Sequence, residues 1–479
     1  MLQDNYKEYN KSVFMLVALF GGLIGIFCAV LMQNYLFLLA IVALPLILLL
    51  FCSILKHAIL MYFIAFSICY YATAFVRYTG IVGISYVVDC VVLFTIVFML
   101  LVNNNIKELK EKSSNILLLS AIAWLIYSIF QLANHEAVAE AWMSSRGVAL
   151  NGVMFTVLTL VSIRNFTQVK RLLFIMSIFT LTAVGKALMQ KNFGWDPVEV
   201  KWLHDGAAKT HLIATGTRYF SFFSDAGNFG SNMGFATVLF SIVGLYSKSW
   251  TLRIYYIIVA LLALLAMFLS GTRGAIVVPI VGFTAMVIFS RKSTLMIALG
   301  ILLVATFVFF KFTYIGQSNQ YIRRMRTVFV SGTEEASFNV RLLNQKLLAD
   351  YLQNKPFGVG LGLSGVENQK FADILTTQIP HDSWMVKIWV ETGIVGLLLY
   401  LLFIVGAISQ AAKRLMFNVR DSMIKFYLLA WLCGICGLLV SSYGNAFFGQ
   451  FPTNIIVFSG LMLAMNGEYF ERKLRETGK

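Results

Sequence analysis

Charged residues are scarce in this chain, and long polar stretches are equally few. Of the 479 residues, 13% are charged and 59% are hydrophobic, and the mean hydropathy is +0.79. A soluble domain carries about 25% charged residues, so the composition excludes an ordinary soluble protein. Apolar runs of about 18 residues, the length that crosses a bilayer, recur almost from end to end. The sequence therefore predicts an all-α, polytopic membrane protein with no separable soluble domain.

Several other features are also missing, and each absence excludes a class of protein. No cleavable signal peptide, internal repeat or low-complexity tract is evident. The run from Gly358 to Gly362 has no following Lys-Ser/Thr and no preceding strand, so it predicts a tight turn and not a nucleotide loop. The polar segments hold no cluster of Asp and Glu, so we expect neither a metal site nor a cofactor. The net charge of +16 indicates basic loops beside anionic lipid, and nucleic acid is not expected as a partner.

The six cysteines all lie in apolar runs, where neither disulfides nor a zinc site are expected. They are Cys28, Cys52, Cys69, Cys90, Cys433 and Cys436.

Twelve to fourteen transmembrane helices are predicted, because fourteen apolar runs lie between polar breaks and two of these runs are short. The runs are 13–31, 35–55, 58–76, 82–102, 115–133, 148–163, 172–187, 229–246, 254–270, 274–290, 294–312, 385–411, 426–444 and 453–468. The two short runs, 148–163 and 172–187, could be tilted, broken or miscounted.

The short basic connections predict the orientation. With fourteen spans, all of them fall on one side, which the positive-inside rule assigns to the cytoplasm together with both termini. They hold Lys107, Lys110, Lys112, Arg164, Lys170, Arg171, Lys248, Arg253, Arg291, Lys292, Lys413, Arg414, Arg420, Lys425, Arg472, Lys473 and Arg475.

Two longer polar segments, about 188–228 and 313–384, then face outward. We divide the chain into N-terminal membrane helices (1–187), core membrane helices with the first outer segment (188–312), the large outer loop (313–384), and C-terminal helices with a tail (385–479), all within one integrated membrane domain. The large loop is predicted to contain an amphipathic helix from Ser337 to Asn354, which would lie on or over the bundle mouth. Val340, Leu343, Leu347 and Tyr351 form its apolar stripe.

His381 is the candidate catalytic residue. It is one of only five histidines, and it stands where the large outer loop ends and an apolar run begins. Imidazole is the side chain that can accept a proton near pH 7 without special help, so His381 could act as a general base. The alternative is an interfacial or helix-capping histidine. The other four, His57, His135, His204 and His211, are expected to be ordinary loop or interface residues.

Three arginines are candidate anion ligands. Arg273 opens the run from 274, where a helix N-terminus disfavours a cation unless an anion joins them. Arg218 precedes the run from 229, and Arg341 lies on the loop helix. The alternatives are a snorkelling Arg273 and a solvated Arg341. The runs from 229, 274 and 385 all begin with helix N-termini at the outer side.

Asp89 and Lys186 lie inside predicted spans, where a charge is costly and functional by default. They could line a proton or ion path, as in a transporter, or could pair within the bundle.

The motifs resemble those of the O-antigen ligase and polymerase superfamily. They are Ser270-Gly-Thr-Arg273-Gly-Ala, Arg341-Leu-Leu-Asn-Gln-Lys, Lys355-Pro-Phe-Gly-Val-Gly360 and His381-Asp-Ser-Trp with Glu391-Thr-Gly. The resemblance covers about residues 215–410, and Asp382 stands where the family commonly has Asn. It implies a GT-C-like inverting glycosyltransferase of the bacterial inner membrane with a periplasmic active site.

The resemblance also implies the roles of the candidate residues. Arg273 and Arg341 would bind the pyrophosphate of an undecaprenyl-pyrophosphate-linked glycan, and Arg218 would assist. His381 would activate the hydroxyl of the acceptor, without a metal. The preferred function is an O-antigen ligase with lipid A-core as acceptor. A repeat-unit polymerase, a protein O-oligosaccharyltransferase and, outside this class, a transporter or flippase are the alternatives.

Overall fold

The computed structural model describes residues 53–54, 57–80, 83–102, 105–213, 216–291, 293–330, 336–380 and 383–476. For residues 293–299, 302–303, 327–328, 330 and 336–338 it describes the backbone alone. The chain divides into two compact units, Met1–Ile64 and Ala65–Lys479. His381 and Asp382 lie outside the described residues.

The described residues are almost entirely helical. The helices are α1 (Ile59–Tyr70), α2 (Ala72–Thr79), α3 (Ile84–Val102), α4 (Ile106–Ser113), α5 (Ile116–Phe130), α6 (Ala139–Ser145), α7 (Gly147–Ser162), α8 (Phe166–Asn192), α9 (Pro197–Trp202), α10 (Ala208–His211), α11 (Ala226–Tyr246), α12 (Trp250–Leu269), α13 (Val277–Ser290), α14 (Ser293–Phe312), α15 (Gln320–Val330), α16 (Ala336–Leu352), α17 (Leu375–Gln378), α18 (Trp384–Phe417), α19 (Ser422–Ser441), α20 (Thr453–Met465) and α21 (Gly467–Glu476). A 3-10 turn, Arg273–Ile276, leads into α13, and the strands β1 (Leu212–Ile213) and β2 (Gly216–Thr217) pair antiparallel.

Nine helical segments in the described part of the chain are long and apolar enough to cross a membrane. They are Ile84–Val102, Ile116–Ala133, Ala139–Ser162, Phe166–Asn192, Ala226–Tyr246, Trp250–Leu269, Arg273–Ser290, Trp384–Phe417 and Ser422–Ser441. A tenth is present if α1 and α2, bent by 56° against each other, form one span. The prediction of an all-α polytopic membrane protein is confirmed. The predicted spans 13–31 and 35–55 lie outside the described residues, apart from residues 53–54.

Some predicted spans differ in length from the helices. The short runs 148–163 and 172–187 belong to segments of 24 and 27 residues, Ala139–Ser162 and Phe166–Asn192. Polar residues near the ends of these two runs indicate breaks, although the helical segments continue through them. Conversely, the run 453–468 corresponds to α20, which has 13 residues.

The connections predicted to lie on the basic side contact one another. Lys112 Nζ donates to Ile163 O at 2.9 Å, and Arg414 donates to Ser114 O at 2.9 Å and to Met465 O at 3.0 Å. One end of the helices, called here the basic end, therefore contains the connection between α4 and α5, the connection between α7 and α8, the end of α18 and the end of α20. Its assignment to the cytoplasm stays a prediction.

Close packing of α11, α13 and α19 forms the core of the larger unit. Most residues of α11 are buried, and α11 packs on α12 and α19. Small residues allow this proximity, because a Cβ added at Gly437 of α19 would lie 2.3 Å from Val278 O of α13. The helices α11, α13 and α19 are therefore closely packed.

Helix α18 is interrupted at Gly393, where φ is 70° and ψ is −176°. A buried loop fills the interruption. Val359 N donates to Val390 O at 3.1 Å and Gly360 N donates to Glu391 O at 3.0 Å. This pairing satisfies backbone groups that could not be left bare within a membrane. The glycine run from 358 to 362, predicted to be a tight turn, is thus part of a buried loop that packs against a transmembrane helix.

The loop helix α16 buries a different face from the predicted one. Of the predicted stripe, Val340, Leu343 and Leu347 are exposed and Tyr351 is partly buried, whereas Leu348 and Leu352 are buried. The buried pair packs in a cluster with residues of α18 and of the loop before it. The helix therefore turns its Arg341–Leu348–Leu352 face inward, because these residues follow one another at helical spacing.

Asp89 and Lys186, the two charges predicted inside spans, both form ion pairs. Arg146 lies 2.7 Å from Asp89, and Lys186 lies 2.8 Å from Asp196 and 3.0 Å from Glu199. The bundle itself thus provides partners for these charges.

Candidate functional site

Arg218 is presented by the β-hairpin between α10 and α11. Its backbone N–H donates to His211 O at 2.8 Å, which continues the pairing of β1 and β2. Its guanidinium donates from Nη1 to Thr210 O and from Nη2 to Thr272 Oγ1, both at 2.9 Å. The second bond joins Arg218 to the segment that contains Arg273.

Two side chains, Arg77 and Gln190, bind the backbone of the loop that follows Arg218. Arg77 donates to the carbonyls of Ser221, Phe223 and Ser224, and its guanidinium lies 4.3 Å from the centre of the Trp202 ring. Gln190 accepts from Ser221 N at 2.9 Å and donates to Ser221 O at 3.0 Å. These contacts fix a loop whose backbone is unusual, since Ser221 has a φ of 53°.

Helix α11 begins at Ala226, and its first turn is already occupied. Asp225 accepts from Gly227 N at 2.6 Å and from Asn228 N at 3.0 Å, and His211 Nε2 accepts from Ala226 N at 3.2 Å. The backbone N–H groups of this first turn are therefore already bound by side chains of the protein. At α18, Ser383 accepts from Val386 N at 3.4 Å, so that helix is also capped by a side chain.

Arg273 lies at the third of these helix N-termini, where the residue at the capping position does not cap the first turn. The hydroxyl of Thr272 accepts from Arg218 and donates to Ala226 O at 2.8 Å, so it does not cap the turn that begins at Arg273. Gly271, with a φ of 57°, makes the preceding bend. The first turn of the Arg273 helix is therefore the N-terminus best suited to an anion.

Arg324 of α15 lies beside this bend, a position that the sequence did not predict. A Cβ built at Gly271 would lie 3.3 Å from Arg218 Cγ and 3.7 Å from Arg324 Cδ. The two arginine side chains thus flank the same glycine. The Arg-Arg-Met-Arg run that contains Arg324 was visible in the sequence, but nothing there indicated which arginine faces the site.

Arg341 of α16 lies against the residues on either side of the two undescribed ones. Arg341, Pro380 and Ser383 line one small cavity, together with Asn344, Gln345, Leu348 and Val386. Asn344 Nδ2 approaches Pro380 O at 3.5 Å. The backbone positions next to His381 and Asp382 are therefore neighbours of Arg341.

A chain of hydrogen bonds connects α18 with the Arg273 segment. Trp384 N donates to Ser442 O at 2.9 Å, and the hydroxyl of the adjacent Ser441 donates to Gly274 O at 2.9 Å. The C-terminal end of α19 therefore joins the beginning of α18 to the beginning of the Arg273 helix. The structure thus brings the flanks of His381 into the same region as Arg273.

Four arginines act on one another in this region: Arg218, Arg273, Arg324 and Arg341, called here the arginine cluster. Arg273 interacts electrostatically with Arg341, and Arg324 does so with both Arg218 and Arg273. Burial, followed by the charges of Arg218 and Arg273, lowers the pKa of Arg324 to about 10. All four side chains are only partly buried, so a ligand could reach them.

The cluster is chemically suited to a multiply charged anion. The two described hydrogen-bond acceptors of the Arg218 guanidinium, Thr210 O and Thr272 Oγ1, are neutral, and its Nε is buried without a hydrogen-bond partner. Asp225 attracts this arginine but is used as the cap of α11. Guanidinium groups match phosphate oxygens in geometry and charge. Phosphate oxygens would therefore be suitable partners for Arg218 in geometry and charge.

His211 has an environment that its place in the sequence does not indicate. It was expected to be an ordinary loop or interface residue, yet it is 2% exposed and packs against Trp202 and Phe220. Because Nε2 accepts from Ala226 N and Nδ1 lies 2.9 Å from Ala207 O, the imidazole is neutral with its proton on Nδ1. Burial is the main cause that lowers its pKa. No sequence signal distinguished this histidine from the exposed His135.

A second cavity, of about 700 Å³, lies at the other end of α16. Tyr127, Phe130 and Phe357 provide aromatic surface, and the ion pair of Lys355 with Glu136 forms part of the wall. Eleven residues of helix separate Arg341 from Leu352, which corresponds to roughly 16 Å at about 1.5 Å per residue. This cavity is therefore separate from the arginine cluster.

Among the residues that the structure describes, no three His, Cys, Asp or Glu side chains group in a way that could hold a metal ion. Reaction without a metal stays a prediction.

Comparison with known proteins identifies the region that contains most of this site. Residues 258–401 match the family model described as O-antigen ligase, a range that includes Arg273, Arg324, Arg341 and His381 but not Arg218. The curated O-antigen polymerase of Salmonella muenchen is 25% identical over 190 residues. The aligned part covers 38% of this chain and 44% of that relative, so less than half of the relative's length is matched. The chain is thus similar, over this region, to members of the superfamily of O-antigen ligases and O-antigen polymerases.

Proposed function

We propose that the chain is an O-antigen ligase that moves a glycan from undecaprenyl pyrophosphate to lipid A-core at the periplasmic face of the inner membrane. The observation that carries the proposal is the convergence of Arg218, Arg273 and Arg341 from three separate stretches of chain, next to the residues that flank His381. Three cations beside a helix N-terminus suit a diphosphate. The family match supports a glycosyltransferase-type enzyme.

In the proposed reaction, the oxygen of the acceptor hydroxyl attacks C1 of the donor sugar from the face opposite the diphosphate. The bond between C1 and the phosphate oxygen breaks, its electron pair leaves with the diphosphate, and the configuration at C1 inverts. His381 accepts the proton of the hydroxyl. The charge on the diphosphate increases as the bond breaks, so arginine hydrogen bonds strengthen and lower the barrier.

The role of His381 as the general base rests on its position in the motif and on its described neighbours. Pro380 and Ser383 line a cavity with Arg341, which is itself coupled to Arg273. A base beside an anion-binding arginine is the arrangement that this reaction requires, because the attacked carbon is bonded to the phosphate.

Polymerisation is the second candidate function, because the curated relative from Salmonella muenchen is named an O-antigen polymerase. It would use the same donor and the same diphosphate site, with a growing glycan as the acceptor.

A transporter was suggested by the charges of Asp89 and Lys186 inside predicted spans. Both residues form ion pairs, which gives these charges a structural explanation.

The test is glycan transfer by the purified protein from a lipid-linked donor, with lipid A-core, a free glycan chain and a protein as parallel acceptors. Transfer to lipid A-core alone would support the ligase, and chain extension would support the polymerase. His381→Ala should slow transfer by about 10² to 10⁴-fold, the usual contribution of a general base. His135→Ala is the control, since His135 is exposed and distant in sequence. Normal transfer by His381→Ala would remove His381 as the base.

A further inference from the structure

We propose that Arg324 binds the donor diphosphate as the fourth cation of the site, and that α15 positions the Arg324 side chain there. This inference rests on the proposed function and adds a residue to it. The reason is geometric: Arg324 Cδ and Nε would lie 3.7 and 3.8 Å from a Cβ at Gly271, and Arg218 Cγ would lie 3.3 Å from the same point. Two guanidinium stems therefore approach one glycine, which immediately precedes Thr272 and Arg273.

The position of Arg324 follows from the way α15 is docked. Met325 is fully buried, and Arg326 donates from Nε to Phe310 O at 3.2 Å and from Nη2 to Ile315 O at 3.0 Å. Arg326 thus binds carbonyls at the end of α14. The ring of Phe329 stacks on Phe310 at 5.1 Å. These contacts set the rotation of α15 about its own axis.

The same rotation gives three neighbouring arginines three different surroundings. Successive helix residues point about 100° apart, so Arg323 is exposed, Arg324 faces Gly271, and Arg326 faces the end of α14. The cluster in the sequence is therefore not one basic patch. Arg326 positions the helix, Arg324 contributes to the site, and Arg323 does neither.

The charge at the site supports the assignment to a diphosphate. Arg218 and Arg273 both act on Arg324, and burial together with their charges makes the protonated form of Arg324 less favourable, which lowers its pKa. A diphosphate placed among these residues would favour the protonated form of Arg324 and raise its pKa. Its charge also grows as the sugar departs, so each additional cation stabilises the leaving group more than the bound donor.

The experiment compares Arg324→Gln with Arg323→Gln, two neighbouring substitutions that remove the same charge. The probe is inorganic pyrophosphate, and its binding to the purified full-length protein is measured by calorimetry. Loss of a charged hydrogen bond should weaken binding by about 10- to 100-fold in Arg324→Gln. Arg323→Gln should stay within about twofold, because an exposed charge contributes little. The affinity of Arg324→Lys for pyrophosphate should lie between those of wild type and Arg324→Gln, because lysine keeps the positive charge but lacks the two parallel N–H donors of a guanidinium.

Arg273→Gln separates failure of this inference from failure of the proposed function. If Arg273→Gln loses pyrophosphate while Arg324→Gln binds it as tightly as wild type, Arg324 is not a ligand and the proposed function stands. If wild type and Arg273→Gln bind pyrophosphate equally, or neither binds it, the diphosphate site itself is wrong. If Arg323→Gln and Arg324→Gln lose equal affinity, the effect is general electrostatics and the inference is overturned.

Discussion

Gly271 adopts a left-handed backbone conformation between two arginine side chains. A Cβ there would lie 3.3 Å from Arg218 Cγ, closer than most side-chain contacts, at a φ of 57°. Gly271→Ala should therefore destabilise the protein by about 1–2 kcal/mol through the backbone and should also displace Arg218. We expect weaker binding of inorganic pyrophosphate, measured by calorimetry, in protein that is still folded.

Gly80→Ala is the matched control for Gly271→Ala. Gly80 has a similar φ of 63°, but a Cβ there meets no described atom within 4 Å. It should show the loss of thermal stability without the loss of pyrophosphate binding. Equal affinity in the two variants would mean that the space around Gly271 does not shape the site.

His211 makes the stability of the site dependent on pH. Its pKa in the folded protein is lowered, mainly by burial, whereas the ordinary value is 6.5. The unfolded chain therefore binds the proton more readily, so the stabilisation is complete above pH 6.5 and is lost as the pH falls below it. Thermal unfolding measured from pH 7.5 to 5.5 should show a smaller decrease in Tm for His211→Gln than for wild type. His135→Gln, which alters an exposed histidine, should behave like wild type; identical curves for all three proteins would contradict the prediction.

The sequence identified residues of the site more readily than their surroundings. Arg218, Arg273 and Arg341 stand in recognisable motifs, and the structure brings Arg218 against Thr272 and Arg341 against the flanks of His381. Their roles remain proposals. Arg324 and His211 could not be singled out, because what distinguishes them is the neighbour across the fold. Neither a short basic run nor a single histidine in the sequence indicates which residues will lie beside it in the fold.

Helix α16 shows how an element sets the direction of a functional side chain. Leu348 is 2% exposed, and the adjacent Leu347 is 43% exposed. Leu348→Ala should cost about 2–5 kcal/mol, the usual range for a buried leucine, and should loosen the helix that presents Arg341. We expect a lower Tm and weaker pyrophosphate binding, measured by thermal unfolding and calorimetry. Leu347→Ala should change neither quantity, and similar losses in both variants would show that the inward face has been misidentified.

The same helix shows the limit of periodicity as a guide. Val340, Leu343 and Leu347 have helical spacing and belong to the predicted apolar stripe, yet all three are exposed. In a membrane protein an apolar face can meet lipid as well as protein, so an amphipathic pattern does not reveal which face is inward. Helix ends are ambiguous for a similar reason. The sequence shows that a helix N-terminus lies near Ala226, but not that Asp225 and His211 accept its first backbone hydrogen bonds.

At the scale of the whole molecule, composition was enough to predict the class of fold but not the details of its spans. The all-α membrane architecture follows from hydropathy, since apolar runs of about 18 residues match a membrane-spanning helix, whose backbone hydrogen bonds are all internal. The lengths do not, because α8 begins at Phe166 and continues to Asn192, beyond both ends of the predicted run 172–187. The ammonium of Lys186 in this helix is accommodated by Asp196 and Glu199, which lie beyond the helix. Local hydropathy therefore does not show how a charge inside a span is paired, or how far the helix extends into polar sequence.

The pair of Asp89 and Arg146 offers a test of whether buried charges here serve structure or transport. The side chains are 22% and 9% exposed and lie 2.7 Å apart, and Arg146 also donates to Ser85. Removing one charge leaves the other unpaired, so Asp89→Asn should cost about 3–5 kcal/mol of stability. Asp89→Asn combined with Arg146→Gln should recover most of the lost Tm, because neither charge then remains. The double variant should also transfer glycan at a rate close to wild type per folded molecule. If it is stable but inactive, the ion pair takes part in function, and the structural account of these charges is wrong.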